Sequence, residues 1–203
     1  MSLNAHPDIP DHGMTEAKLG ETIRRLRMAA RLSLRSLAEK SGFSASFLSQ
    51  VENGQASPSI ASMERIATAL GVTMGQFFSP PAAALADVEL VRARSRVTLT
   101  SEWSKARIES LGAQHHDVRL EPVLVTLAPG GASARRPYSS SRDEFALVLE
   151  GTVVLAVQHG NASGDPERRH ILERGDAVTI GSGIGRRWEN VSPAPVTILM
   201  VSA

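Results

Sequence analysis

The chain reads as an α + β protein in two parts, a domain of five short helices followed by an all-β domain, a sandwich or barrel. Three observations predict this. Apolar residues recur at helical spacing from Leu19 to Phe78, they alternate with polar ones after residue 87, and the Pro/Ala-rich stretch Ser79 to Asp87 separates the two patterns. The expected boundaries are a disordered tail over 1–14, a helical domain over 15–78, a linker over 79–87 and a barrel over 88–203. At 203 residues the chain is long enough for each part to bury its own core.

The helices follow from stripes and caps. Leu19, Ile23, Leu26 and Ala30 form the inner stripe of the first, whose outer face carries Arg24, Arg25 and Arg27. Ser33 caps a second through Leu34, Leu37 and Ala38, and Gly42 supplies the left-handed residue that ends it. Ser44 caps a third, with Phe43 and Leu48 as the flanking hydrophobic pair, Leu48 and Val51 facing inward and Phe47 at their edge. Ser57 followed by Pro58 reads as a cap and first-turn proline for a fourth, with the stripe Ile60, Met63, Ile66, Ala67, Leu70 and a stop at Gly71. Thr73 and Gln76 form a capping box ahead of Phe77 and Phe78, the fifth.

The third helix has a chemically distinct second face. Ser44, Ala45, Ser46, Ser49, Gln50 and Asn53 are short or polar, so a helix presenting them can approach a DNA major groove closely, with the Gln50 amide as base reader. Arg35, on the preceding helix, is the candidate phosphate contact. A formal net charge of +1 conceals an asymmetry: Lys18, Arg24, Arg25, Arg27, Arg31, Arg35, Lys40 and Arg65 outnumber the acids of residues 14 to 78.

Residues 19 to 78 resemble the lambda-repressor-like, Xre-type helix-turn-helix family. The resemblance is carried by Leu19-Gly20, Leu26-Arg27, Leu37-Ala38, Gly42, Leu48-Ser49-Gln50-Val51-Glu52-Asn53-Gly54, Pro58-Ser59, Ile66-Ala67 and Ala69-Leu70-Gly71-Val72. It implies sequence-specific recognition of double-stranded DNA.

Absent residues narrow the rest. Without cysteine there is no disulfide, thiolate metal site or thiol nucleophile. The first thirteen residues, with Pro7, Asp8, Pro10, Asp11 and Gly13, lack the apolar core of a signal peptide, and no later segment has the length of a membrane helix.

Strands are expected over 88–91, 97–100, 107–111, 122–127, 144–149, 152–157, 170–172, 177–180, 187–191 and 196–201, punctuated by Gly, Pro, Ser and Asp. Many short strands without helices favour a sandwich or barrel. Two patterns here resemble the cupin family: Glu144, six residues and Gly151 as its first motif, then Gly175, Gly183 and Asn190 as its second. Family members hold a metal through two histidines and a glutamate of the first motif and a histidine of the second. The matching positions here are Tyr138, Ser140, Glu144 and Arg186, so only the glutamate is retained. Gly131 is one residue out of register, and Gly181 stands in place of proline.

The expectation is a metal-free barrel with no cofactor and no catalytic residue. Other histidines offer no converging set, since His115 and His116 are adjacent, His159 lies in a loop and His170 begins a strand. Ser139 to Ser141 has no histidine at a nucleophile's offset. If the strands keep the cupin alternation, Tyr138, Ser140, Glu144, Arg186 and Trp188 point inward. They then form either an effector pocket, with Arg186 suited to a small anion such as a carboxylate, or a Glu144–Arg186 pair satisfied within a packed barrel.

The composite resemblance implies a transcriptional regulator whose barrel senses a small molecule, pairs two chains, or both. A homodimer on an inverted-repeat operator, in a bacterial cytoplasm and on the nucleoid when DNA-bound, is the corresponding expectation. The rivals are a cupin enzyme, a dioxygenase or isomerase with an accessory helical domain, and a partner-binding module without DNA specificity.

Overall fold

The computed structural model describes residues 13–78, 90–112, 120–159 and 166–203. Four α-helices open it: α1 (Glu16–Ala29), α2 (Leu34–Ser41), α3 (Ala45–Glu52) and α4 (Ile60–Leu70). Their ends are local chemistry. Ser33 and Ser44 each accept a hydrogen bond from the backbone N–H three residues on, and Gly42 and Gly71 end α2 and α4 at φ 68° and 71°.

Two helix expectations need correction. The fifth helix is a 3₁₀ segment, Met74–Phe78, so the helical part contains four α-helices and not five. The Gln76 side chain does reach back to the Thr73 N–H at 3.0 Å. Five residues are too few to build a run of i→i+4 bonds, and the tighter coil buries both Phe77 and Phe78. The second correction is the cap of α4, which is Ser59 rather than Ser57. Ser57 Oγ instead accepts from the N–H groups of Glu102 and Trp103, which keeps the chain extended through Pro58.

Helices α1 and α3 meet at Gly20. A Cβ there would lie 2.4 Å from the Val51 carbonyl oxygen and 2.6 Å from that of Glu52, so a hydrogen is what lets the backbones touch.

The strands are β1 (Gly13–Met14), β2 (Thr98–Ser101), β3 (Ala106–Ser110), β4 (Glu121–Leu127), β5 (Glu144–Glu150), β6 (Thr152–Gln158), β7 (Arg168–Glu173), β8 (Ala177–Ile180), β9 (Gly185–Glu189) and β10 (Val196–Ser202). One sheet runs β1-β2-β3-β4-β10-β5-β8 and the other β7-β6-β9, the two faces of the double-sheet barrel. Gly13 and Met14, assigned above to the tail, pair parallel with Thr98 and Leu99. Leu90 and Val91 are not strand, and a short 3₁₀ turn follows at Ala93–Ser95. The rest of the tail, the linker over 79–87, His115 and His116 lie outside the described residues.

The buried apolar residues of helices and barrel form one contiguous cluster, from Leu19 and Phe77 to Leu99, Trp188 and Ile198. The N-terminus of α4 joins the two parts. Its Ile60 and Ala61 N–H groups donate to Ser104 Oγ and the Ser133 carbonyl, while Ser101 Oγ donates to the Pro58 carbonyl. Among the described residues, no helix is long and apolar enough to cross a membrane.

Candidate DNA-reading face and barrel-mouth cluster

Helix α3 divides as its periodicity requires. Leu48 and Val51 are fully buried, whereas Ser44, Ala45, Ser46, Gln50 and Asn53 are exposed and Ser49 half-buried. The small, polar side of α3 is therefore turned to solvent, with the Gln50 amide available. Asn53 Nδ2 lies 3.5 Å from Ser49 Oγ, within the same face. Arg35 projects from α2 with its side chain 90% exposed and only a loose contact to Glu39 at 3.8 Å. The ring of Phe43 packs on Phe47 at 5.1 Å and is covered by the Arg65 guanidinium at 4.3 Å, so the turn into α3 is held from α4 as well as by its own cap.

One basic residue was placed on the wrong face. Arg27 does not join Arg24 and Arg25 on the outer surface of α1. It turns inward and pairs with Glu52 at the end of α3.

At the barrel mouth, β5 and β9 alternate so that Glu144, Arg186 and Trp188 point inward, each 3% exposed or less. Arg186 Nε and Nη2 both donate to Glu144 Oε2, at 3.0 and 2.7 Å, and the Trp188 indole donates to Glu144 Oε1 at 3.3 Å. The Tyr138 ring lies 4.9 Å from the guanidinium, and its backbone pairs with that of Arg186 in both directions. Ser140 differs from this set: its hydroxyl accepts from the Arg142 N–H at 3.2 Å, shaping the turn before β5, although the residue does line the adjoining cavity. Arg187 faces outward but is not idle. It contacts Glu189 and Glu167 and donates to the Arg135 carbonyl.

The sequence reading missed Glu64. This residue of α4 extends into the mouth, where Arg186 Nη2 approaches Glu64 Oε2 and the Tyr138 hydroxyl donates to Glu64 Oε1, each at 3.4 Å. Burial and the neighbouring Glu144 push its carboxyl up to about 7, against the pull of Arg186. The same burial and carboxylates push the Tyr138 hydroxyl up as well. No signal local to α4 announces this role, because Glu64 reads as an ordinary polar position beside its apolar stripe.

The cluster does not fit the metal of the cupin motif. A guanidinium sits on the retained glutamate, the place a cation would take, and no group of three or more His, Asp or Glu side chains converges among the described residues. His159 and His170 are exposed. Asn190 bridges the carbonyls of Leu127 and Ala194, a structural role.

Comparison with known proteins agrees with both halves. The Helix-turn-helix domain family matches residues 18–76, and the Cupin domain family matches residues 123–202. The HTH-type transcriptional regulator SutR of Escherichia coli K12 is 30% identical over 139 residues, 68% of this chain and 72% of that protein. The chain belongs to the HTH-type transcriptional regulators. This regulator therefore binds DNA through its helical part and carries a cupin domain behind it. A solved HTH_3 family transcriptional regulator from Vibrio cholerae has the same fold across both parts, with TM-score 0.68, 23% identity and coverage of 94% of this chain and 97% of that one. Hydroxypropylphosphonic acid epoxidase from S. wedmorenis shares the fold more distantly, with TM-score 0.50 and 19% identity over 93% of this chain and 98% of that one.

Proposed function

We propose that this regulator reads an inverted-repeat operator as a homodimer through Ser44, Ala45, Ser46, Ser49, Gln50 and Asn53, with Arg35 on phosphate, and that its barrel senses a small anionic molecule at Arg186. The observation that carries the DNA half is the exposed polar face of α3 opposite the buried Leu48 and Val51. One helical domain covers little DNA, so tight binding calls for two readers about 34–36 Å apart along the duplex, or a multiple of that spacing. Pairing two chains is the barrel's part in this reading.

Support for the sensing half is the chemistry of the mouth. A guanidinium beside a tyrosine hydroxyl, both of which here donate to the Glu64 carboxylate, is a donor set suited to a carboxylate. The retained Glu144 is neutralised by Arg186, so metal-dependent catalysis is not part of this reading.

Selection of duplexes from a random pool by the full chain tests the DNA half. An enriched inverted repeat, bound with two chains per site, is expected. Binding of a lone half-site by a monomer contradicts the symmetry, and failure to enrich any sequence favours a partner-binding module. Stoichiometric iron, manganese or zinc in protein expressed with ample metal favours a cupin enzyme instead.

A further inference from the structure

The link between barrel mouth and reader runs through two consecutive residues of α4. Glu64 reaches down to Arg186 and Tyr138, while Arg65 donates to the Ser41 carbonyl at 2.6 Å and covers Phe43, the residues on either side of Gly42 in the turn between α2 and α3. A displacement of α4 relative to the barrel is thereby a displacement of the reader's support.

The two carboxylates at Arg186 are held unequally. Glu144 takes two short guanidinium bonds and the Trp188 indole, whereas both contacts of Glu64 are 3.4 Å long. Glu144 is the fixed counter-ion and Glu64 the exchangeable one. A third carboxylate cannot be added beside one guanidinium without strong repulsion, so an incoming anion must take the place of Glu64.

Space leads to the same conclusion. The cavity beneath α4, lined by Glu64, Glu144, Ser140 and Arg142, is about 60 Å³, enough for roughly two waters. Small-molecule sites need about 300 Å³ or more. Glu64, Thr68 and Ser140 line both this cavity and an outer cleft of about 560 Å³ that also carries Lys40 and Arg65. These three residues lie where the two spaces adjoin, so Glu64 borders both.

Building on the reading of the mouth as an anion-sensing site, we propose that the Glu64 carboxylate is its built-in occupant. A small carboxylate effector acts by displacing Glu64 from Arg186 and Tyr138, which frees α4 from the barrel mouth. The poorly stabilised charge of Glu64, with its carboxyl near neutrality, makes it a ligand that a better-placed carboxylate can replace.

The test uses acetate, the fragment of the glutamate side chain that Glu64→Ala removes. Acetate, but not chloride at equal ionic strength, should raise the unfolding temperature of the full-length Glu64→Ala protein saturably. It should leave wild type and Glu64→Gln, whose amide fills the same space, unaffected. Glu64→Ala should also change affinity for the selected operator several-fold, and acetate should not reverse that change, because it fills the site without restoring the tether. No saturable acetate response in Glu64→Ala, an equal response in Glu64→Gln, or unchanged operator affinity overturns the proposal. Should Glu64→Ala fail to fold, Glu64→Gln at a pH above neutrality carries the test, with a several-fold change in operator affinity expected and no change overturning it. If wild type enriches no DNA, the operator reading fails, while the acetate arm still reports on the anion site.

Discussion

Arg27 of α1 and Glu52 of α3 form a two-bond pair, Nε to Oε1 at 2.6 Å and Nη2 to Oε2 at 2.9 Å, with side chains only 13% and 4% exposed. A third bond from Arg27 Nη1 to the Leu32 carbonyl ties the same guanidinium to the loop before α2. The pair clamps α3 to α1 where Gly20 already brings the backbones together, and the Glu52 bonds raise the Arg27 pKa. The outcome is a rigidly held α3, as the proposed groove reading requires.

Removing one partner strands the other. Glu52→Ala should destabilise the helical domain by about 1–3 kcal/mol, the usual cost of leaving a part-buried donor without its acceptor, since Arg27 keeps its bond to the Leu32 carbonyl. Chemical denaturation followed by circular dichroism measures this. A loss below about 1 kcal/mol would place the pair with ordinary surface contacts.

On the DNA face, base and phosphate contacts separate by salt. Gln50→Ala should weaken the cognate operator by about 1–3 kcal/mol and relax preference at one base position. Arg35→Ala should weaken all duplexes alike and reduce the salt slope by about 1. Fluorescence anisotropy at several salt concentrations distinguishes them. Unchanged sequence preference in Gln50→Ala would rule out that residue as reader.

The mouth should give stability a pH dependence of definite sign. The Glu64 carboxyl is raised from 4.5 to about 7 by burial and Glu144, opposed by Arg186 and Tyr138, with Arg142 and Glu121 lining the same cavity. In this window the folded protein holds a proton that the unfolded chain has released. The resulting stability is complete below the unfolded value and lost as pH rises through the folded one. Wild type should thus lose stability relative to Glu64→Gln between about pH 4.5 and about pH 7, as urea midpoints across that range would reveal. Parallel profiles would show that Glu64 titrates normally.

Arg186 should matter more than Arg187. Arg186→Ala leaves Glu144 buried with, among the described residues, only the Trp188 indole as partner, at a cost of about 3–5 kcal/mol. Arg187→Ala removes half-buried contacts to Glu189, Glu167 and the Arg135 carbonyl, worth about 1–2 kcal/mol because no buried carboxylate is left bare. Matched thermal and denaturant unfolding of the two variants checks the contrast, and equal losses would deny the inner pair its special standing.

By itself, the sequence determined most of the elements and the two faces of α3. Caps at Ser33 and Ser44, stops at Gly42 and Gly71, and the split of α3 into buried Leu48 and Val51 against exposed Gln50 all depend on spacing along one element, whereas the inward direction of Glu144, Arg186 and Trp188 was implied by the cupin resemblance. Such spacing is set by the 3.6-residue turn and the two-residue pleat, so it can be read without knowing any neighbour. Tertiary structure alone decided the partners. Ser57 lost its capping role to a contact 45 residues away, Arg27 left the outer face for Glu52, and Glu64 met Arg186 across 122 residues. Periodicity states which way a side chain leaves its own axis, but a long Arg or Glu side chain ends where the packing of two elements places an opposite charge. That position is settled only when α4 docks over the barrel mouth.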